Sequence, residues 1–229
     1  KVNEWAAVRC PTVAAELVTL YQIEKKLQKS SPKFLPGHMA HQLLAPRPRY
    51  GWQPGEIPGT ARSAAVLAVL YPLQETPHIL LTVRSSQLPT HTGQVSFPGG
   101  VLEDSETVTD AALREAFEEV RLSPKTVRII STLTTLYVPA SNFALHPVVG
   151  ICESPPDLQP AKTEVERILH VPVAELADPK NLHLGVRWRH NQTYAVPFFE
   201  VCNERVWGAT SMVLAEVLTV IGLPPNNPW

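Results

Sequence analysis

The chain has 229 residues, of which 44% are apolar and 18% charged, and its formal net charge is −1. That is long enough to bury the core of one sizeable domain, and it excludes a protein that gathers nucleic acid or an anionic membrane through overall charge. An anionic ligand must be held locally, by side-chain cations or by metal ions.

Pro11 suits the first turn of a helix, and Leu17, Leu20, Tyr21, Ile23 and Leu27 fall on one face, so residues 12–29 are predicted helical. Residues 30–59 are rich in Pro and Gly, with Arg47, Arg49, Tyr50 and Trp52 among them, and read as an irregular arm. Residues 1–60 are thus expected to form an extension packed on a main domain at 61–229. Apolar, β-rich runs at 64–71 and 78–84 are predicted strands, and 94–97 a short strand ending at Pro98-Gly99-Gly100. A helix is predicted over 107–120, capped by Thr107 with Asp110 three residues on. Residues 126–136 and 144–152 read as strands, 163–169 and 173–176 as short helical pieces. A hairpin is expected from 194–201 and 205–207, and a largely buried closing helix over 210–221. This order lacks the repeated alternation of a doubly wound sheet. The expected class is α/β (α+β), an α/β/α sandwich with a mixed sheet and an N-terminal helical extension.

Cys10, Cys152 and Cys202 match neither a disulfide framework nor a metal-ligand spacing, and are expected to be buried free thiols. No apolar run approaches the ~20 residues needed to cross a bilayer. The opening Lys1-Val2-Asn3-Glu4 has no signal-peptide pattern, so a cytoplasmic location is expected, without membrane or nucleic-acid partners.

The segment from Gly100 to Leu122 carries the chemistry. On a helix, Glu115, Glu118 and Glu119 stand at i, i+3 and i+4 and share one face. Like charges at that spacing repel unless cations or Arg114 compensate. Hard divalent cations take oxygen ligands and readily combine carboxylates with substrate phosphates, which makes Mg2+ or Mn2+ the expected cofactor. Gly99 and Gly100 carry no Cβ, so a backbone carbonyl there can turn to the same ion. Such ions neutralise a polyanionic pyrophosphate and lower the pKa of a bound water. Glu-x-x-Glu-Glu alone favours a solvated acidic face. The full spacing Gly-x5-Glu-x7-Arg-Glu-x2-Glu-Glu behind Phe97-Pro98-Gly99 favours catalysis.

This segment resembles the Nudix box, Gly-x5-Glu-x7-Arg-Glu-U-x-Glu-Glu-x-Gly-U with U apolar. The resemblance implies that Gly100 opens the box and offers its carbonyl, that Glu106 and Arg114 hold it by charge pairing, and that Glu115, Glu118 and Glu119 bind the metal. Arg121 stands where the box has its second glycine. A left-handed helix end there costs a non-glycine residue about 1 kcal/mol, so the helix ends otherwise or the strain is tolerated.

Residues Leu80 to Gly100 are similar to the signature of the coenzyme A pyrophosphatase branch, Leu-Leu-Thr-x-Arg-Ser-x3-Arg-x3-Gly-x-Val-x-Phe-Pro-Gly-Gly, with Pro89 in place of the second arginine. Tyr137 to Gly150 and Val206-Trp207-Gly208 also look like that branch. The resemblance implies hydrolysis of coenzyme A or an acyl derivative to 3′,5′-ADP and a 4′-phosphopantetheine. The 3′-phosphate asks for a further cation, with Arg84 the first candidate and Arg62 and His91 behind it. Glu164 is a candidate general base, with Glu118 or Glu119 as alternatives. Phe97, Tyr137, Ser141 and Asn142 are candidates to line the substrate cleft, although Ser-Asn is also a favoured turn pair. Two other readings stay open: hydrolysis of ADP-ribose, NADH or another nucleoside diphosphate derivative, which Pro89 keeps alive, and a non-catalytic binding module. The N-terminal helix suggests a homodimer, beside lid or packing roles.

Overall fold

The computed structural model describes residues 8–9, 18–30, 34–48, 53, 55–86, 93–189 and 191–229, with backbone alone for 8–9 and 189. Its strands are β1 (Val8–Arg9), β2 (Arg62–Leu73), β3 (Thr76–Arg84), β4 (Val95–Ser96), β5 (Gly99–Val101), β6 (Arg128–Thr132), β7 (Leu136–Val138), β8 (Phe143–Ile151), β9 (Val165–Pro172), β10 (Leu182–Arg189), β11 (Gln192–Val201) and β12 (Glu204–Trp207). The helices are α1 (Leu20–Lys29), α2 (Gly37–Leu43), α3 (Val108–Val120), α4 (Val173–Ala177) and α5 (Ala209–Val220).

β2 and β3 are apolar at consecutive positions rather than alternate ones, the pattern of strands covered on both faces. They occupy the centre of a mixed sheet ordered β1-β9-β3-β2-β8-β6, with β4 on β3, β5 on β2 and β7 on β8. β2 runs parallel to β8, and β1 parallel to β9. Ala65, Leu67, Val69 and Tyr71 point to one face and meet Ala111, Ala112, Ala116 and Val120 of α3. Val66, Ala68 and Leu70 point to the other, among Met212, Val213 and Val217 of α5, Ile23 and Leu27 of α1, and Phe199 of β11. The expected α/β/α sandwich is the observed architecture. β10, β11 and β12 make a separate antiparallel sheet.

Residues 211–218 of α5 are buried all round, so its one carboxylate needs partners. Glu216 is fully buried, 2.8 Å from Nε2 of His41, and accepts from the Thr134 hydroxyl at 2.7 Å. This contact fastens α2 to α5.

Several expectations need correction. Of the helix expected over 12–29, the described part runs from Leu20 to Lys29, because Thr19 is extended and forms a capping box with Gln22; Tyr21 is exposed, while residues 10–17, with Cys10, Pro11 and Leu17, lie outside the described residues. The arm is not wholly irregular, since it contains α2, and Arg47 bridges to Ala195 of β11; Arg49, Tyr50 and Trp52 lie outside the described residues. Residues 163–164 are a turn and 165–169 the first part of β9, not a helix: antiparallel pairing with β3, from Arg84↔Val165 to His78↔Pro172, overrides the local pattern. Residues 126–136 divide into β6 and the start of β7, and β10 completes what was expected to be a two-stranded hairpin. Cys152 is a buried free thiol, whereas Cys202 is disulfide-bonded, a pairing that sequence spacing does not reveal. Among the described residues no helix is long and apolar enough to cross a membrane.

Candidate active site

The site is built at one end of the sheet, where the N-terminal ends of β2, β8 and β9 and the C-terminal end of β3 come together. Helix α3 packs on the sheet face here, against β2 and beside β5. Its start is fixed by Thr107, whose hydroxyl oxygen accepts from the Asp110 N–H at 3.2 Å. Its finish is fixed by Arg121, which adopts the left-handed conformation (φ 60°, ψ 22°) while its N–H donates back to Phe117 O at 2.9 Å. The left-handed end of the box is therefore kept without its glycine.

Arg114 organises the acidic face. Its Nε and Nη2 donate to the two carboxylate oxygens of Glu106 at 2.8 and 3.0 Å, a bidentate pair. Its Nη1 donates to Glu115 at 2.8 Å and Glu118 at 3.1 Å, and Nη2 also reaches Val101 O at 3.1 Å. One guanidinium thus joins the loop opening at Gly100 to two of the three helix carboxylates.

The third carboxylate has a different environment. Glu119 is only 4% exposed, and burial pushes its pKa up to about 8, against the opposing pull of Arg84 and with further upward pressure from Glu115 and Glu164. It accepts from the Gly99 N–H, and its own carbonyl accepts from Ala161 N–H at 2.8 Å. Burial also raises Glu115, opposed by Arg114 and reinforced by Glu118 and Glu164. Glu164 is exposed in the turn before β9, and its carbonyl accepts from Ser85 N–H at 2.8 Å. Four carboxylates thus feel one another at this sheet end.

The donor set fits a hard divalent cation: half-buried and buried carboxylates whose mutual repulsion a cation relieves, beside a glycine carbonyl. A Cβ at Gly100 would stand 2.3 Å from Oε1 of Glu115, so only glycine lets that carboxylate lie against the loop. Among the described residues no three acidic, His or Cys side chains form a ready-made metal cage. Instead, Nη1 of Arg114 takes up one oxygen each of Glu115 and Glu118.

The remaining sequence-predicted residues divide. Arg84, at the end of β3, is the cation nearest in effect to Glu119, and its Nε is buried without a hydrogen-bond partner among the described residues. Arg62 lies at the same sheet end, its guanidinium 4.5 Å over the Phe143 ring. Tyr137 donates to Asn142 Oδ1 at 3.0 Å, and Asn142 Nδ2 to Thr60 O at 2.9 Å, while Ser141 N–H closes a turn onto Val138 O at 3.2 Å. These three shape the loop before β8. Phe97 is 3% exposed and packs in the core on the α5 side, instead of facing a cleft. His91 and Pro89 lie outside the described residues. The sequence did not single out Arg187 and Arg205, both exposed on the three-stranded sheet, because β10, which carries Arg187, was not among the predicted strands.

A NUDIX domain model matches residues 61–194, and the chain belongs to the Nudix family. It is a Nudix hydrolase, and members of this family generally use divalent metal ions. It is 36% identical over 163 residues to the uncharacterized Nudix hydrolase NudL of Escherichia coli (strain SMS-3-5 / SECEC), covering 69% of this chain and 83% of that one. The NudL of Enterobacter sp. (strain 638) is 36% identical over 165 residues, with the same coverage of 69% and 83%. Among solved structures it is similar to RenU, a Nudix hydrolase from M. smegmatis, with TM-score 0.45 and 23% identity over 52% of this chain and 74% of that chain.

Proposed function

We propose that the chain hydrolyses the pyrophosphate bond of coenzyme A or an acyl-coenzyme A, giving 3′,5′-ADP and a 4′-phosphopantetheine. The observation that carries this reading is the position of Arg84. The arginine of the Leu80–Gly100 signature acts on the Glu119 carboxylate and keeps a buried Nε–H without a partner among the described residues. A guanidinium with a spare donor beside the acidic helix suits a phosphate oxygen.

In this reading Glu115, Glu118 and Glu119, with the Gly100 carbonyl, hold Mg2+ or Mn2+. Bound there, the cation supplies charge neutralisation of phosphate oxygens and a lowered pKa for water. Arg114 fixes Glu115 and Glu118 in place. Glu164, exposed and within electrostatic reach of Glu115 and Glu119, takes the proton of the attacking water. Residues 1–60 act as an extension on a hydrolase domain at 61–229, and exposed Phe34 and Met39 in that extension support a homodimer, which light scattering tests.

The substrate is tested by product analysis with coenzyme A, acetyl-coenzyme A, dephospho-coenzyme A, ADP-ribose and NADH in Mg2+ or Mn2+. Release of 3′,5′-ADP from coenzyme A supports the reading. AMP from ADP-ribose or NADH, with coenzyme A untouched, contradicts it and moves the chain to another nucleoside diphosphate derivative.

A further inference from the structure

The three-stranded sheet carries a cleft of about 490 Å3, lined by none of the site residues predicted from sequence. That volume is in the range of small-molecule sites. Its floor is one face of the sheet. Phe198 stands opposite Trp207, and strand alternation brings Arg187 of β10 and Arg205 of β12 to the same side. The Arg187 guanidinium lies 3.9 Å over the Trp207 ring, and that of Arg205 lies 5.0 Å over Phe198. Gly185 opens the space above Phe198, since a Cβ there would stand 3.1 Å from the ring.

The cleft's charge is positive. Glu204 lines it, but its carboxylate is taken by Arg167. Glu200, opposite Arg205 in the ladder, lies 3.5 Å from Nε2 of His183. Among the described residues neither Arg187 nor Arg205 has an ion-pair partner. Two exposed guanidiniums over aromatic rings suit a ligand that is planar at one point and anionic at another.

The cleft also borders the strand that leads to the acidic site. Its wall includes Gly93 and Gln94. Gly93 N–H donates to Arg84 O at 3.1 Å, and Arg84 N–H donates to Gln94 O at 3.0 Å. The wall of the cleft is thus hydrogen-bonded, main chain to main chain, to the end of β3 that carries Arg84.

We propose that this cleft binds the phosphorylated adenosine end of the substrate, with the base stacked on the Arg187–Trp207 layer and the ribose phosphate between Arg187 and Arg205. The proposal rests on the reading above that the substrate is a nucleotide with a phosphate besides its pyrophosphate. Calorimetric titration of 3′,5′-ADP, AMP and adenosine in Mg2+ tests it without turnover. The native protein binds 3′,5′-ADP on the order of tenfold more tightly than AMP, a preference lost in Arg187→Ala and Arg205→Ala. Absence of the preference, or its survival in both variants, overturns the proposal. If coenzyme A is not hydrolysed but the arginine-dependent preference is found, the cleft stands and the coenzyme A reading falls. If coenzyme A is hydrolysed and both variants keep the preference, the cleft assignment falls alone.

Discussion

Gly100 and Glu115 share a space that admits only one of them to carry a side chain there: a Cβ on Gly100 would lie 2.3 Å from the Glu115 carboxylate. The obstructing atoms are the end of a flexible side chain, so the fold can yield while the carboxylate cannot stay. Gly100→Ala should leave stability within about 1 kcal/mol in urea unfolding, while kcat falls at least tenfold with KM little changed. An unaltered kcat would show that the position of Glu115 against the loop is immaterial.

Arg121 ends α3 at φ 60°, where glycine is less strained. Its guanidinium also sits 5.4 Å over the Phe117 ring, a contact that glycine loses. Arg121→Gly should stabilise the protein by a few tenths to about 1 kcal/mol, the gain being limited by the greater entropy of glycine in the unfolded chain. A lower midpoint in thermal unfolding would mean that the Phe117 contact outweighs the backbone strain.

The pKa of Glu119, raised to about 8 by burial, links cation binding to pH. Below that value the carboxyl is protonated and must release its proton to act as a ligand. Mn2+ affinity, read by calorimetry in two buffers, should rise as pH increases toward 8 and level off above it, with proton release on binding. The sign for cation-free stability is opposite. A carboxyl raised above its ordinary 4.5 favours folding fully below 4.5, and that contribution is lost as pH rises through about 8.

His41 and Glu216 are 175 residues apart in sequence and meet at 2.8 Å, both fully buried. Removing the carboxylate strands the His41 ring and the Thr134 donors together. Glu216→Ala should cost about 3–5 kcal/mol, and Glu216→Gln less, because the amide oxygen still accepts from Thr134. Denaturant unfolding of the two variants separates a lost partner from a lost charge.

The acidic helix was legible because everything that defines it is local: the Thr107 cap, the i, i+3, i+4 carboxylates, and Arg114 one residue before Glu115. The core strands were equally plain, as unbroken apolar runs at β2 and β3. β9 was not, since Thr163-Glu164-Val165-Glu166-Arg167 suits a helix and only pairing with β3 makes it a strand. α2 was hidden because it starts at a glycine with φ 51° behind Pro36 and has no side-chain cap. The Arg187–Trp207 layer depends on two strands meeting across β11, which no local pattern announces.

Hydrolysis of coenzyme A at the α3 carboxylates is read by incubating the protein with coenzyme A in Mg2+ or Mn2+ and following 3′,5′-ADP beside its Glu119→Gln variant. Steady release by the native protein and loss of at least a hundredfold in the variant, on the order of 2.7 kcal/mol in the barrier, are expected from this assignment. Release undiminished in Glu119→Gln, or none from the native protein with either ion, would contradict it.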